Sequence, residues 1–268
     1  MEDLKDIKPN QSIELLKSLH ILTRDGRMNQ DSRRKLKQVY HLYQLIEPCL
    51  DKALASNPQF TLVDHGAGKS YLGFILYDLF LKEKGGELYA IEHRSELIEK
   101  ARYLAETLKF DRMHFVASNI QDTLVDQNIP DKIDIVTALH ACDTATDDAI
   151  AWAINAGSGL ALIAPCCHHD IQAQMHEVPE PWSMMTRNGI MKERLGDLLT
   201  DALRMQIMKL HGYRVEAIEF VGGEHTPRNL MIRAVKTGAI ADSAEQQRYE
   251  QMLSLWKVKP ALAALLSR

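Results

Sequence analysis

Two thiols and two imidazoles stand side by side at the end of an apolar segment of this chain. The stretch LIAPCCHHDI, residues 162–171, contains Cys166, Cys167, His168 and His169. A second pair, His140 and Cys142, follows an earlier apolar segment. Side chains of these types support three kinds of site: a metal centre, a nucleophilic thiol with its base, or the polar wall of a pocket.

The spacing of these residues argues against a metal centre. Consecutive residues of an extended segment point to opposite sides, so the run 166–169 cannot hold one ion while it is extended. A mixed site would have to combine both segments, with the ligands His140, Cys142, Cys166 and His168. We therefore expect no bound metal.

The two remaining alternatives differ in which side chain carries the chemistry. A nucleophilic cysteine would attack the substrate, and a nearby imidazole would lower the pKa of its thiol. In a pocket wall, His168 or His169 would instead take a proton from the acceptor near neutral pH. We favour the pocket wall, while plain core packing of the histidines stays open as the structural alternative. The candidate catalytic residues are His168, His169, Cys166 and His140.

A glycine-rich loop follows an apolar run near residue 60. Its sequence is VDHGAGKSYLG, residues 63–73. A phosphate-binding P-loop would need glycine where Val63 stands, and a dinucleotide fingerprint would need glycine where Tyr71 stands. What remains is an acid followed by two glycines, a pattern typical of S-adenosylmethionine enzymes. These three residues are Asp64, Gly66 and Gly68.

Two later segments supply polar side chains at matching places. Glu92 ends the next apolar run, where an acid can accept hydrogen bonds from ribose hydroxyls. After the third run, Ser118, Asn119 and Ile120 offer polar groups and an apolar wall for an adenine ring. Together these segments predict S-adenosylmethionine as the cofactor. The predicted cofactor-binding residues are Asp64, Gly66, Gly68, Glu92, Asn119 and Ile120.

The elements that position these residues follow from the hydrophobic pattern. From residue 60 onward, short β-type runs alternate with helix-length segments, which predicts an α/β fold with helices on both faces of a parallel sheet. The last two runs, 213–221 and 229–236, lie too close together for a crossover helix and predict an antiparallel hairpin at one edge. The pattern therefore matches a Rossmann-like, class I methyltransferase fold with a seven-stranded sheet.

The first 58 residues have a helical pattern instead. One apolar stripe predicts a helix that opens after NQDS, residues 29–32, and ends before Pro58. The stripe comprises Leu36, Val39, Tyr43, Ile46 and Leu50. We predict three parts: an N-terminal helical substrate-binding appendage (1–58), a methyltransferase domain (59–238) and a C-terminal helical tail (239–268).

Three longer motifs narrow the family. They are LHACDTATDDAI (139–150), APCCHH (164–169) and EHTPRNLMI (224–232). On these motifs the chain resembles the family that includes the acceptor-stem tRNA 2′-O-methyltransferases and the methyltransferase-like domain joined to a glutathione-transferase-like module in animals. The resemblance implies methyl transfer from S-adenosylmethionine to RNA. The chain departs from the tRNA enzymes at Asp143, where glycine is expected, and has no cysteine before Cys49 for their N-terminal zinc site.

A basic stretch suggests how an RNA acceptor would be held. Its six cations are Arg24, Arg27, Arg33, Arg34, Lys35 and Lys37. A phosphate at the start of a helix would be bound by these side chains and by the helix terminus together. The loop between the last two strands should approach the rim of the acceptor pocket. The predicted substrate-binding residues are Arg33, Arg34, Lys35, His225, Arg228 and Asn229.

The composition and net charge exclude some classes of protein. A net charge of −4 excludes a protein that coats nucleic acid through its global charge, but it permits a local basic patch. The absence of a long apolar run and the acidic, polar first residues lead us to expect a cytoplasmic protein without a membrane partner. Two alternatives to RNA methylation stay open: a methyltransferase of a protein or small molecule, and a catalytically silent S-adenosylmethionine-binding module. The oligomeric state is not predicted.

Overall fold

The strands of this protein form one mixed sheet. The structure, a computed structural model, describes residues 6–139, 143–166, 168–220, 229–239 and 242–267. The strands are β1 Thr61–His65, β2 Glu87–Glu92, β3 Met113–Ala117, β4 Ile135–Ala138, β5 Leu160–Ile163, β6 Tyr213–Glu219 and β7 Leu230–Lys236. They are arranged in the order β3-β2-β1-β4-β5-β7-β6.

The sheet confirms the predicted fold class. Strands β1 to β5 pair in parallel, and β7 runs antiparallel to both β5 and β6. The hairpin thus closes one edge with β7 on its inner side. From β1 the chain continues to β2 and β3 on one side, whereas β4 and β5 lie on the other. The strand order therefore reverses between β1 and β4. Sheets of this kind bind ligands at such a reversal, in the crevice outside the carboxyl ends of the strands.

Helices cover both faces of the sheet. In chain order they are α1 Ile13–Ser18, α2 Gln30–Ser56, α3 Tyr71–Leu76, α4 Lys82–Lys84, α5 Ser95–Leu108, α6 Thr144–Asn155, α7 His169–Gln174, α8 Ser183–Thr186, α9 Gly189–Leu210, α10 Ser243–Trp256 and α11 Ala261–Leu266. A π-helical turn, Tyr77–Leu81, joins α3 to α4, and a 3₁₀ helix spans Ile120–Val125. None of the helices in the described part of the chain has the length and apolarity needed to cross a membrane.

Helix α2 begins three residues earlier than its sequence pattern predicts. The Asn29 side chain accepts a hydrogen bond from the Ser32 N–H over 2.7 Å and so caps the helix. Asparagine is among the best N-cap residues because its side chain satisfies an N–H that has no partner within the helix. Gln30 to Ser32 are therefore helical, and Arg33 is the fourth residue of the helix.

The N-terminal segment shares its core with the sheet. Leu15, Leu16 and Ile21 are buried in the same apolar cluster as Leu62 of β1 and Phe74 of α3. A second cluster lies on the opposite face and is formed with α6, α9, α10 and α11.

Two hydrogen bonds also fasten the N-terminal segment to the helix region after β1. The Ser12 N–H donates to Asp78 Oδ2 over 2.7 Å, and the Tyr71 hydroxyl donates to the Leu19 carbonyl over 2.8 Å. Through these contacts the segment before α2 is held against the region that carries the glycine loop. The boundary at residue 58 stays a prediction.

Candidate active site

A buried acid and a hydroxyl lie side by side on β1 and β4, the two neighbouring strands at which the strand order reverses. Asp64 of β1 pairs in register with Thr137 of β4. The Thr137 hydroxyl donates to Asp64 Oδ1 over 2.7 Å. Burial raises the pKa of Asp64 to about 7, although the hydrogen bond from Thr137 acts in the opposite direction. Near neutral pH this carboxyl group is therefore close to half protonated.

The glycine loop turns sharply after β1. Gly66 and Gly68 have φ angles of 63° and 57°, in the left-handed region that favours glycine. Ser70 adopts the same conformation at φ 54° and sits at the N-cap of α3. The loop thereby turns the Gly68 N–H toward the end of β2, where it donates to Glu92 Oε2 over 2.9 Å.

Glu92 is a buried carboxylate with a cation beside it. Its residue is 3% exposed, and Arg94 donates to both oxygens, from Nε over 2.8 Å and from Nη2 over 3.2 Å. Burial alone would raise the pKa of Glu92, but the hydrogen bonds from Arg94 and Gly68 hold this pKa below its ordinary value. Glu92 is thus ionised at neutral pH, as an acceptor for ribose hydroxyls should be.

Two pockets flank the glycine loop, and Gly66 and Arg94 line both. The first has a volume of about 400 Å³ and is lined by Glu92, Ser118, Asn119, Ile120 and Ala145. Asn119 is exposed there, and its amide donates to Asp122 Oδ2 over 3.4 Å, while Ile120 is half-buried. The structure therefore brings the predicted ribose acid and the predicted adenine residues to one cavity.

The second pocket is lined by the whole loop from Gly66 to Lys69. Its volume is about 370 Å³, and it contains Asp64 and Gly68 together with Ile21, Lys35 and Gln38 from the N-terminal segment. Two cavities of this size that share Gly66 and Arg94 suit a ligand with an adenosine at one end and an amino acid at the other. The residues present fit S-adenosylmethionine.

The end of β5 carries the cysteine and histidine run. Cys166 is half-buried, and His169 is exposed at the start of α7. His168 is 3% exposed, with Nε2 2.8 Å from Asp201 Oδ1 and Nδ1 3.4 Å from Asp197 Oδ1. Because both of its ring nitrogens face carboxylates of α9, this placement favours a positioning role for His168. It leaves His169 as the exposed imidazole of the pair.

The loop after β4 is tied to the start of α7 by Asp143. Its Oδ1 accepts hydrogen bonds from the His169 N–H over 2.9 Å and from the Asp170 N–H over 3.2 Å. Asp143 has φ 51° and ψ −119°, a conformation that glycine adopts more readily. The family resemblance leads us to expect glycine at this position, and here an aspartate accepts the backbone strain and caps α7.

A buried arginine on α9 was not predicted. Arg204 donates to both oxygens of Asp147, over 2.9 Å each, to Asp201 Oδ1 over 3.3 Å and to the Asp143 carbonyl over 3.0 Å. It thereby links α6, α9 and the loop after β4, while Asp201 extends the link to His168. A lone arginine in a helical pattern resembles any solvent-exposed cation, so nothing in the sequence could reveal this role.

The remaining predicted residues lie in different surroundings. Lys35 lines the second pocket, whereas Arg33 Nε lies 3.8 Å from Asp6 Oδ2 and Arg34 Nη1 lies 4.0 Å from Asp31 Oδ1. Asn229 donates to Glu219 Oε1 over 3.0 Å across the β6–β7 hairpin. Five predicted residues lie outside the described part of the chain: His140, Cys142, Cys167, His225 and Arg228. A mixed metal site would need two of them, and within the described residues no metal-binding group of three such side chains is found.

Comparison with solved structures gives low similarity over most of the chain. A magnesium protoporphyrin IX methyltransferase from Synechocystis, with bound SAH, is 14% identical and has a TM-score of 0.48, covering 83% of this chain and 94% of the other. TrmK from M. capricolum, in complex with S-adenosyl-homocysteine, is 15% identical with a TM-score of 0.44, covering 75% and 73%. Likeness at this level says nothing about the substrate.

Sequence comparison is more informative. A glutathione S-transferase C-terminal domain-containing protein of Xenopus laevis is 26% identical over 149 residues, which are 55% of this chain and 22% of that protein. The chain thus corresponds to about a fifth of the length of this relative. A sequence profile described as a methyltransferase domain matches residues 34–174. Because this match covers more than half of the chain, the chain belongs to that family of methyltransferase domains.

Proposed function

We propose that this chain is an S-adenosylmethionine-dependent methyltransferase and that it modifies RNA. The observation that carries the proposal is the position of the basic stretch: Lys35 lines a pocket together with Asp64 and Gly68. The neighbouring Arg33 and Arg34 have side chains that are 42% and 45% exposed. A phosphate backbone that reached these two arginines would therefore run beside the cofactor site. Arg33 Nε lies 3.8 Å from Asp6 Oδ2, and Arg34 Nη1 lies 4.0 Å from Asp31 Oδ1.

The bound cofactor supplies an electrophilic methyl group. The residues of this chain then have three tasks. Glu92, whose carboxylate accepts from the Gly68 N–H, holds the ribose end, and the first pocket takes the adenine. Asp143 and Arg204 hold the loops after β4 and β5 in one arrangement, so that an acceptor can be aligned for in-line displacement, a reaction that depends above all on positioning. An imidazole nitrogen of His169 takes the proton from the acceptor.

A protein acceptor is the second candidate. Several large apolar side chains are exposed in α8 and the first half of α9, which follow the cysteine and histidine run along the chain. They are Met184, Met185, Ile190, Met191 and Leu198. Nucleic acid offers little to such a surface, whereas a protein substrate could cover it.

The acceptor can be identified by comparing cells with and without the gene. We expect mass spectrometry of RNA nucleoside digests to show one methylated nucleoside that is lost without the gene. Wild-type protein should restore this nucleoside, and Glu92→Ala should not. If the RNA is unchanged while a protein loses a methyl group, the acceptor is a protein. Cofactor binding without any methyl transfer would leave only a silent binding module.

A further inference from the structure

The second pocket is rich in positive charge. Three cations line it, Lys35, Lys69 and Arg94, together with the carboxyl group of Asp64. Arg94 is engaged with Glu92 by two hydrogen bonds, and Asp64 accepts from Thr137. Two lysines therefore remain to interact with whatever enters this cavity.

Helix α2 presents one of its faces to this pocket. Lys35, Gln38 and Val39 are spaced three and four residues apart and line the cavity together. Within the described part of the chain Lys35 makes no ion pair. Its neighbours Arg33 and Arg34 lie near Asp6 and Asp31 instead. The basic stretch therefore divides into one cation at the pocket and others outside it.

Lys69 is placed less favourably than Lys35. Both lysines are exposed, but Lys69, on the glycine loop, also lines a separate cavity formed with Leu19, His20 and Tyr71. Lys35 lines the second pocket from α2, together with the apolar side chains of Ile21 and Leu139.

The cofactor has one anionic group, which needs a cationic partner. In S-adenosylmethionine this group is the carboxylate of the methionine portion, at the end far from adenine. Glu92 and the first pocket hold the adenosine end, so the amino-acid portion must pass the glycine loop into the second pocket. We propose that Lys35 binds this carboxylate, which makes the N-terminal helix part of the cofactor site. The proposal rests on the cofactor assignment and is independent of RNA as the acceptor.

Calorimetry with two ligands tests this role. S-adenosylhomocysteine carries the carboxylate, whereas decarboxylated S-adenosylmethionine keeps the adenosine and the amino group but lacks it. We expect Lys35→Ala to weaken binding of S-adenosylhomocysteine about tenfold or more, as for a lost charge-assisted hydrogen bond. Binding of the decarboxylated ligand should change less than about twofold, a difference of under roughly 0.4 kcal/mol. Lys35→Arg should recover most of the lost affinity.

Two further variants serve as controls. Lys37→Ala removes an exposed cation from the same helix without touching the pocket, and it should bind both ligands like the wild type. Lys69→Ala tests the other lysine of the cavity. The proposal is overturned if Lys35→Ala leaves the affinity for S-adenosylhomocysteine unchanged, if it weakens both ligands equally, or if only Lys69→Ala shows the selective loss. Failure of the wild type to bind either ligand would instead remove the cofactor assignment itself.

Discussion

The Gly68 N–H donates to Glu92 Oε2 over 2.9 Å, so the loop after β1 and the end of β2 form one unit. Glu92 of this unit and Asp64 of β1 have pKa values that are shifted in opposite directions. Hydrogen bonds hold the pKa of Glu92 below its ordinary value against the effect of burial, whereas burial raises the pKa of Asp64 to about 7. One acid is thus a permanent carboxylate, and the other titrates near neutral pH.

Removing the Glu92 carboxylate should weaken cofactor binding. Glu92→Ala leaves the ribose hydroxyls without a charged acceptor, and we expect a loss of roughly 1.5 to 3 kcal/mol in binding free energy. Calorimetry with S-adenosylhomocysteine measures it, and circular dichroism checks that the variant is folded. Unchanged affinity in a folded variant would rule out the ribose role.

Asp64 should make folding stability depend on pH. In the unfolded chain an aspartate titrates near a pKa of about 4, whereas the folded protein keeps its proton up to about pH 7. Between these values the folded state binds more protons than the unfolded state, so the contribution of Asp64 to stability falls as pH rises.

The measurement compares urea unfolding of the wild type and Asp64→Asn at pH 5 and pH 8. The stability of the wild type relative to the variant should be lower at the higher pH, because asparagine does not titrate. A constant difference would mean that the carboxyl group is ionised throughout this range.

Arg204 should be a major contributor to stability. Its residue is 2% exposed, and it contacts Asp147, Asp201 and the Asp143 carbonyl. Arg204→Met leaves buried carboxylates without a partner, which costs about 3–5 kcal/mol in comparable cases. Chemical denaturation gives the free energy of unfolding, and the double variant Arg204→Met/Asp147→Leu should lose less than the sum of the single variants. Simple additivity would indicate that the two side chains act independently.

The cysteine and histidine run should differ in its sensitivity to substitution. His169→Ala should lower kcat by about 10²-fold if His169 is the general base, with unchanged affinity for S-adenosylhomocysteine. Cys166→Ala and Cys167→Ala should keep measurable turnover, because in a pocket wall neither thiol forms a bond to the substrate. A nucleophilic cysteine predicts the reverse order, with one inactive cysteine variant and a covalent adduct of the wild type with 5-fluoropyrimidine RNA.

RNA binding should depend steeply on salt through Arg33 and Arg34. Replacing both with alanine should reduce the slope of log affinity against log salt by roughly 1.5 to 2 units if each contacts one phosphate. Arg248→Ala, at an exposed cation on α10, should leave the slope unchanged. An unchanged slope in the double variant would show that Arg33 and Arg34 do not contact RNA phosphates. If the protein does not bind RNA even at low salt, the protein acceptor is favoured.

The sequence by itself determined the features that depend on short segments. Alternating strands and helices, together with the short spacing before β7, were enough to predict the seven-stranded sheet and its hairpin. The glycine loop could be recognised because Gly66 and Gly68 need a left-handed backbone directly after a strand. Glu92 could be placed beside them because parallel strands end at the same edge of a sheet. Helix α2 begins three residues before the predicted position, because the Asn29 side chain caps it.

Only the tertiary structure decided which distant side chains complete these features. Thr137 lies 73 residues from Asp64, and Arg204 lies 57 residues from Asp147, yet each pair is in hydrogen-bond contact. The same holds for Lys35, which resembles its basic neighbours in the sequence but lines the pocket with Asp64. Periodicity predicts which face of a helix is buried, because burial depends on the local pattern of apolar residues. It does not predict which polar group lies opposite a given side chain, because that depends on how separate elements pack.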